Sequence, residues 1–130
     1  MDERHYTAVC ESETCELLKE AGFHEKTHDA YNVAGGLLHD DFPADWNNGT
    51  DKYVRLSAPT YAQVIDWLIT KGLSINMYIL RSDKSINYKS CVTDNRKTGR
   101  TETSFPYERS WRKSADEAIK LAIRILKQDN

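Results

Sequence analysis

The chain has 130 residues, of which 39% are hydrophobic, 29% charged and 10% aromatic, with 6 Gly and 3 Pro; collagen-like, low-complexity and wholly disordered readings are excluded. This length predicts one domain whose folding buries roughly two thirds of the unfolded chain's surface. The net charge of −2 conceals a partition, because residues 1–50 hold 11 acidic and 3 basic side chains while residues 81–113 hold 4 acidic and 9 basic. Such polarity can steer an anionic partner, pair head to tail with a second copy, or neutralise itself within one fold.

Residues 1–11 are expected to be flexible. Thr14, Leu17, Leu18 and Ala21 recur at helical spacing and predict a first helix over 12–21, stopped by Gly22 with Phe23 folded back on Leu18. Residues 23–57 read as an irregular segment, broken by Gly35-Gly36, Pro43 and Asn47-Asn48-Gly49, with a short strand at Tyr53 to Leu56. A second helix starts at Thr60 after Pro59, with Gln63 closing a capping box and Gly72 the stop. Leu73, Ile75, Met77 and Ile79 then alternate with Ser74, Asn76 and Tyr78, as in a half-buried strand. Further strands are expected at 86–93 and 101–105, and a last helix opening with a box from Ser114 to Glu117. The expected fold is α+β: a three-stranded antiparallel meander with helices on one face, in the order α, irregular, α-β-β-β-α. Residues 12–57 hold the first helix and the irregular segment, and residues 58–128 the αβββα core.

Leu17-Leu18-Lys19-Glu20-Ala21-Gly22-Phe23, Trp46-Asn47-Asn48, Ala58-Pro59-Thr60-Tyr61-Ala62-Gln63 running to Asp66-Trp67-Leu68, and the alanine-rich last helix resemble a group of small proteins found in gut Bacteroidales and their phages or mobile elements. That group has no assigned activity, so the resemblance implies a bacterial or phage origin and a cytoplasmic setting. Ile69-Thr70 departs from its common Arg-Glu continuation. The start Met-Asp-Glu-Arg-His lacks the charged and apolar regions of a secretory signal, and three cysteines, Cys10, Cys15 and Cys91, are an odd number that suits reduced thiols. A cytoplasmic chain off the membrane is expected.

Cys10, Cys15, His24 and His28 are the residue types of a structural zinc site, but the spacing is too short for a finger and Cys15 falls inside the first helix. No metal or cofactor is predicted. His28-Asp29 and His39-Asp40-Asp41 offer bases and carboxylates without a nucleophile or a phosphate loop, and read as a solvated acidic loop. With no catalytic motif, the chain is expected not to be an enzyme and to take no small-molecule substrate.

The basic segment offers more. Arg96, Lys97 and Arg100 crowd the second hairpin turn, and Arg112 and Lys113 stand at the start of the last helix, where free amides favour an anion. The order α-β-β-β-α and Arg112-Lys113-Ser114-Ala115 resemble a double-stranded RNA-binding domain, which implies phosphate-backbone contacts by these residues. Asp116 replaces a Lys of that motif, and the Gly-Pro-x-His loop is absent. Tyr78 on the expected open sheet face and Trp111 are the candidate protein contacts. The preferred reading is a small non-catalytic module binding a protein, another copy of itself or a different chain; a nucleic-acid-binding module is the alternative.

Overall fold

The computed structural model describes residues 3–49, 54–96 and 101–128. The elements run α1 (Glu3–Thr7), α2 (Ser12–Glu20), β1 (Thr27–Asn32), β2 (Leu37–Ala44), a 3-10 turn (Trp46–Asn48), β3 (Val54–Ala58), α3 (Tyr61–Thr70), β4 (Leu73–Arg81), β5 (Ile86–Asp94), β6 (Thr101–Ser104) and α4 (Trp111–Gln128). The class is α+β, with two three-stranded antiparallel sheets ordered β2-β1-β3 and β4-β5-β6. Where sequence alone suggests one domain, contacts divide the chain into two compact units, Met1–Ala62 and Gln63–Asn130.

In the first unit, the expected irregular segment is a sheet. Gly35-Gly36 closes a hairpin between β1 and β2, in which the Asn32 carboxamide accepts from the amides of Ala34 at 3.0 Å and Gly36 at 2.8 Å. An Asn side chain standing in for a backbone acceptor is a turn device that pattern reading passes over. The expected strand at 53–56 is β3; its Tyr53 lies outside the described residues. Residues 3–11 carry α1 and an antiparallel bridge between Val9 and Thr60, where the Cys10 amide donates to the Pro59 carbonyl at 3.0 Å. The first helix ends as expected: the Phe23 amide donates to Leu18 at 2.9 Å and the Gly22 amide to Lys19 at 3.1 Å, the paired bonds of a Schellman cap. α2 packs on β3, and the unit's core gathers Cys10, Cys15, Leu18, Phe23, Leu56 and Tyr61.

A buried side chain ties that unit together. Asn47 accepts from the Ser57 amide at 2.9 Å and donates to the Phe23 carbonyl at 2.9 Å, joining the 3-10 turn to β3 and to the segment after α2. Trp46 donates its indole N–H to the Thr27 carbonyl at 2.9 Å.

In the second unit β5 is central, and α4 lies against β5 and β4. Leu73, Ile75 and Val92 point to the sheet face that also carries Ser90, whose hydroxyl donates to the Ser114 carbonyl of α4 at 3.0 Å. The last helix begins four residues before the expected start: Ser110, not Ser114, caps it by accepting from the Lys113 amide at 3.1 Å. That earlier start makes Trp111, Ala115, Ala118 and Ala122 one buried stripe. Gly72 after α3 has φ 87, its carbonyl accepts from the Asn95 amide at 2.9 Å, and the Arg96 side chain lies where a Cβ would project.

Two stability outcomes follow from these ties. Asn47→Ala strands the buried partners on Phe23 and Ser57, and urea denaturation is expected to show a loss of about 2–3 kcal/mol; a loss under about 0.5 kcal/mol would refute the tie, being within the range of an ordinary surface change. Gly72→Ala combines left-handed strain with a collision against Arg96 and is expected to lose about 1–3 kcal/mol. Gly22→Ala, with φ 90 and open space around it, serves as the strain-only control and is expected to lose less.

Candidate functional site

Of the five basic residues expected to contact a phosphate backbone, Arg96 and Lys113 are ion-paired. The Arg96 guanidinium is forked onto the Asp94 carboxylate, Nε to Oδ1 at 3.0 Å and Nη2 to Oδ2 at 3.0 Å, with the side chain 21% exposed. Two residues apart on the outgoing end of β5, the pair fixes the guanidinium in the plane of its own carboxylate. Lys97 and Arg100 lie outside the described residues. Lys113 reaches Glu108 at 3.4 Å, and Ser110 caps the α4 amide that would otherwise face an anion. Arg112 is exposed in the first turn of α4. A cavity of about 310 Å³ lies between β5, β6 and the C-terminal half of α4, floored by Val92, Leu121 and Ile125 and rimmed by Asp94, Arg96 and Thr103.

Trp111, expected as a partner contact, is 3% exposed. As the first residue of α4 on the same face as Ala115 it belongs to the core, which corrects that expectation. Tyr78 is exposed on β4, and the register Tyr78↔Lys89 with Ile79↔Tyr88 puts Tyr78 and Tyr88 on opposite faces of the sheet.

The histidines and carboxylates near residues 28 and 40 come together on paired strands instead of a loop. His39 Nδ1 meets Asp29 Oδ1 at 2.6 Å across β1 and β2, His39 Nε2 lies 3.5 Å from Asp41 Oδ1, and the His28 ring stacks on His39 with centroids 5.7 Å apart. The hydrogen bond that His39 donates to the Asp29 carboxylate, reinforced by the charges of Asp29 and Asp41, raises the His39 pKa above the usual imidazole value. The cluster stands in open solvent, with His39 64% and Asp41 91% exposed, so it holds a proton but does not exclude water from a substrate. Among the described residues no group of three or more His, Cys, Asp or Glu is placed to hold a metal ion. Of the four residues of zinc-ligand type, Cys10 and Cys15 are buried free thiols, His24 bonds Asp45 at 3.0 Å and His28 bonds the Asp40 carbonyl at 2.9 Å.

Around Tyr78 lies an apolar surface whose other members sequence reading passed over. Tyr78, Ile79, Leu80 and Ile86 are exposed at the outer end of the β4–β5 hairpin, beyond the part that α4 covers, and Phe42 on β2 is 82% exposed. The signal was present in Tyr78-Ile79-Leu80: three consecutive apolar residues in a strand place apolar groups on both faces, which a half-wet sheet does not need. β4 is also an edge strand: among the described residues no strand lies beside its outer backbone N–H and C=O groups. β6, the other edge, exposes Thr101, Glu102, Thr103 and Ser104.

Among the described residues no helix is long and apolar enough to cross a membrane. Searches against family models, curated proteins and solved structures found no match.

The His39 pair has a testable sign. A raised folded-state pKa means the tie between β1 and β2 is fully present below the ordinary imidazole value and is lost as pH rises through the raised value. NMR titration is expected to show His39 titrating above the ordinary imidazole value, with Asp29→Asn bringing it down, and amide exchange in the β1–β2 hairpin speeding up on the alkaline side. A His39 pKa that does not move in Asp29→Asn would contradict the assignment.

Proposed function

We propose that this chain is a small non-catalytic module of bacterial or phage origin that docks a protein partner in the cytoplasm. The observation that carries the reading is the β4–β5 hairpin end, where Tyr78, Ile79, Leu80 and Ile86 form an exposed apolar surface on both faces of an edge strand. Aromatic and aliphatic groups beside unpaired strand amides supply what a protein surface recognises: apolar anchors and a backbone ladder that gives register. Three buried free cysteines accord with a reducing compartment. The origin rests on the sequence resemblance to small proteins of gut Bacteroidales and their phages.

Nucleic-acid binding is the competing reading, and the ion pairs of Arg96 with Asp94 and Lys113 with Glu108 weigh against it, because a phosphate would have to displace a carboxylate at each.

A photo-crosslinking residue at position 80, in cells producing the protein, is expected to give a discrete protein adduct, and the same residue at position 124 on α4 to give none. The complex reconstituted from that adduct's partner is expected to be lost in the variant Leu80→Ser, Ile86→Ser while its melting temperature is retained. Binding to duplex RNA or DNA that falls steeply with log salt, in the absence of any protein adduct, would overturn the reading in favour of the alternative.

A further inference from the structure

We infer that the partner is a second copy of this chain: the acidic bulge of β2, with Phe42 as its anchor, docks on the outer end of the β4–β5 hairpin of another molecule. The inference rests on the protein-docking reading above and names its occupant.

The first half of the fit is the way Phe42 is presented. Between the pairs Thr27↔Ala44 and Asp29↔His39 the register advances two residues on β1 and five on β2, so residues 40–43 leave the ladder as a bulge. The Asp40 carboxylate accepts from the Phe42 amide at 2.9 Å, which fixes the bulge before anything binds. Pro43 follows and has no amide to donate. The outcome is an aromatic ring, 82% exposed, next to the carboxylates of Asp40 and Asp41. Among the described residues it is the most exposed of the large apolar side chains. A fixed aromatic that loses little freedom on burial is the usual form of an interface anchor.

The second half is the receiving surface. The pairs Ile79↔Tyr88 and Arg81↔Ile86 put Ile79, Arg81, Ile86 and Tyr88 on one sheet face. Ile79 and Ile86 are diagonal neighbours there, a spacing of roughly 7–8 Å that leaves room for a ring above them. Arg81 stands beside that position and Lys84 is in the adjoining turn, both exposed. A ring seated on Ile79 and Ile86 would bring the flanking carboxylates to these two cations.

Charge selects the second copy as the occupant. Residues 1–62 hold 12 acidic and 5 basic side chains, whereas residues 63–130 hold 8 acidic and 13 basic, so the two compact units carry opposite net charge. Each contributes one of the two surfaces, and Phe42, Ile79 and Ile86 are all exposed side chains. Unit-to-unit attraction between copies is therefore favourable, and like-to-like approach is opposed. Reciprocal exchange of the two contacts closes a two-fold dimer, and one-way exchange builds a ring or an open chain.

The test is sedimentation of the full chain over a concentration series at low and high salt, with three solvent-facing changes: Phe42→Ser, Asp41→Arg and Arg81→Asp. Expected is self-association that weakens as salt rises and drops by about tenfold or more in each variant. An equimolar mixture of Asp41→Arg and Arg81→Asp is expected to recover association, since each then supplies the charge that the other lacks. Circular dichroism and unchanged melting temperatures establish that the variants fold. A monomer up to about 1 mM, association that survives Phe42→Ser, or a mixture that fails to recover would each overturn the inference. In the first of these cases a protein adduct at position 80 from a different chain would leave the docking reading standing with another partner, and no adduct would remove both.

Discussion

The first unit depends on the carboxamide of Asn47. A buried amide with one donor and one acceptor engaged replaces two waters that the Phe23 carbonyl and the Ser57 amide would otherwise need, and it does so across 24 and 10 residues of sequence. The segment between α2 and α3 is rich in turn residues and poor in apolar ones, so hydrophobic burial alone gives it little reason to order. Asn47, Trp46 on the Thr27 carbonyl and Asn32 in the β1–β2 turn supply that reason as specific, directional bonds. The Asp45 side chain adds to this by accepting from the Asn47 amide at 3.1 Å. A sheet is thereby assembled from strands whose sequences do not alternate.

The same fact decides what was legible from the residues alone. Helix ends were, because Gly22, Phe23 and Leu18 interact within one turn of each other and local pattern contains the whole interaction. The β4–β5–β6 meander was, because Leu73, Ile75 and Val92 face a helix and carry the period of a half-buried strand. β1, read as Thr-His-Asp-Ala-Tyr-Asn, was not: its order comes from neighbours on both sides and from long-range side-chain bonds, and neither is written in its own hydropathy. α4 illustrates an intermediate case, where the helix was evident and the start was misplaced because Trp111 extends the buried stripe by one turn. Tyr78 was among the expected protein contacts and Phe42 was not, since a lone Phe among Asp and Pro looks like a loop until the bulge that projects it is known.

Electrostatics in the second unit are largely settled within that unit. Arg96 and Asp94 satisfy each other, Lys113 turns to Glu108, and Lys89 lies 5.5 Å from the Tyr107 ring centroid. A sequence count of basic residues therefore overstates the positive surface on offer. At the hairpin end the exposed Arg81 and Lys84 border apolar side chains, a mixture suited to a protein surface more than to a phosphate backbone.

Strand edges sharpen this conclusion. An unguarded edge invites pairing with other chains, and three of the four edges here are blunted. β2 has a bulge and Pro43. β3 is buried at Leu56, Ser57 and Ala58, with the Ser57 amide taken by Asn47. β6 is four residues long and polar throughout. β4 alone is long, nine residues, and apolar at its exposed end. A chain that protects three edges by three different means and leaves the fourth open, with Tyr78, Ile79 and Leu80 in water, bears an aggregation hazard at that one place. Unless something covers it, the exposure of these side chains has no structural compensation in the second unit, since their removal would leave the α4-covered half of the sheet intact. The proposed contact with another molecule would supply the cover for the β4 edge that the second unit's own packing does not.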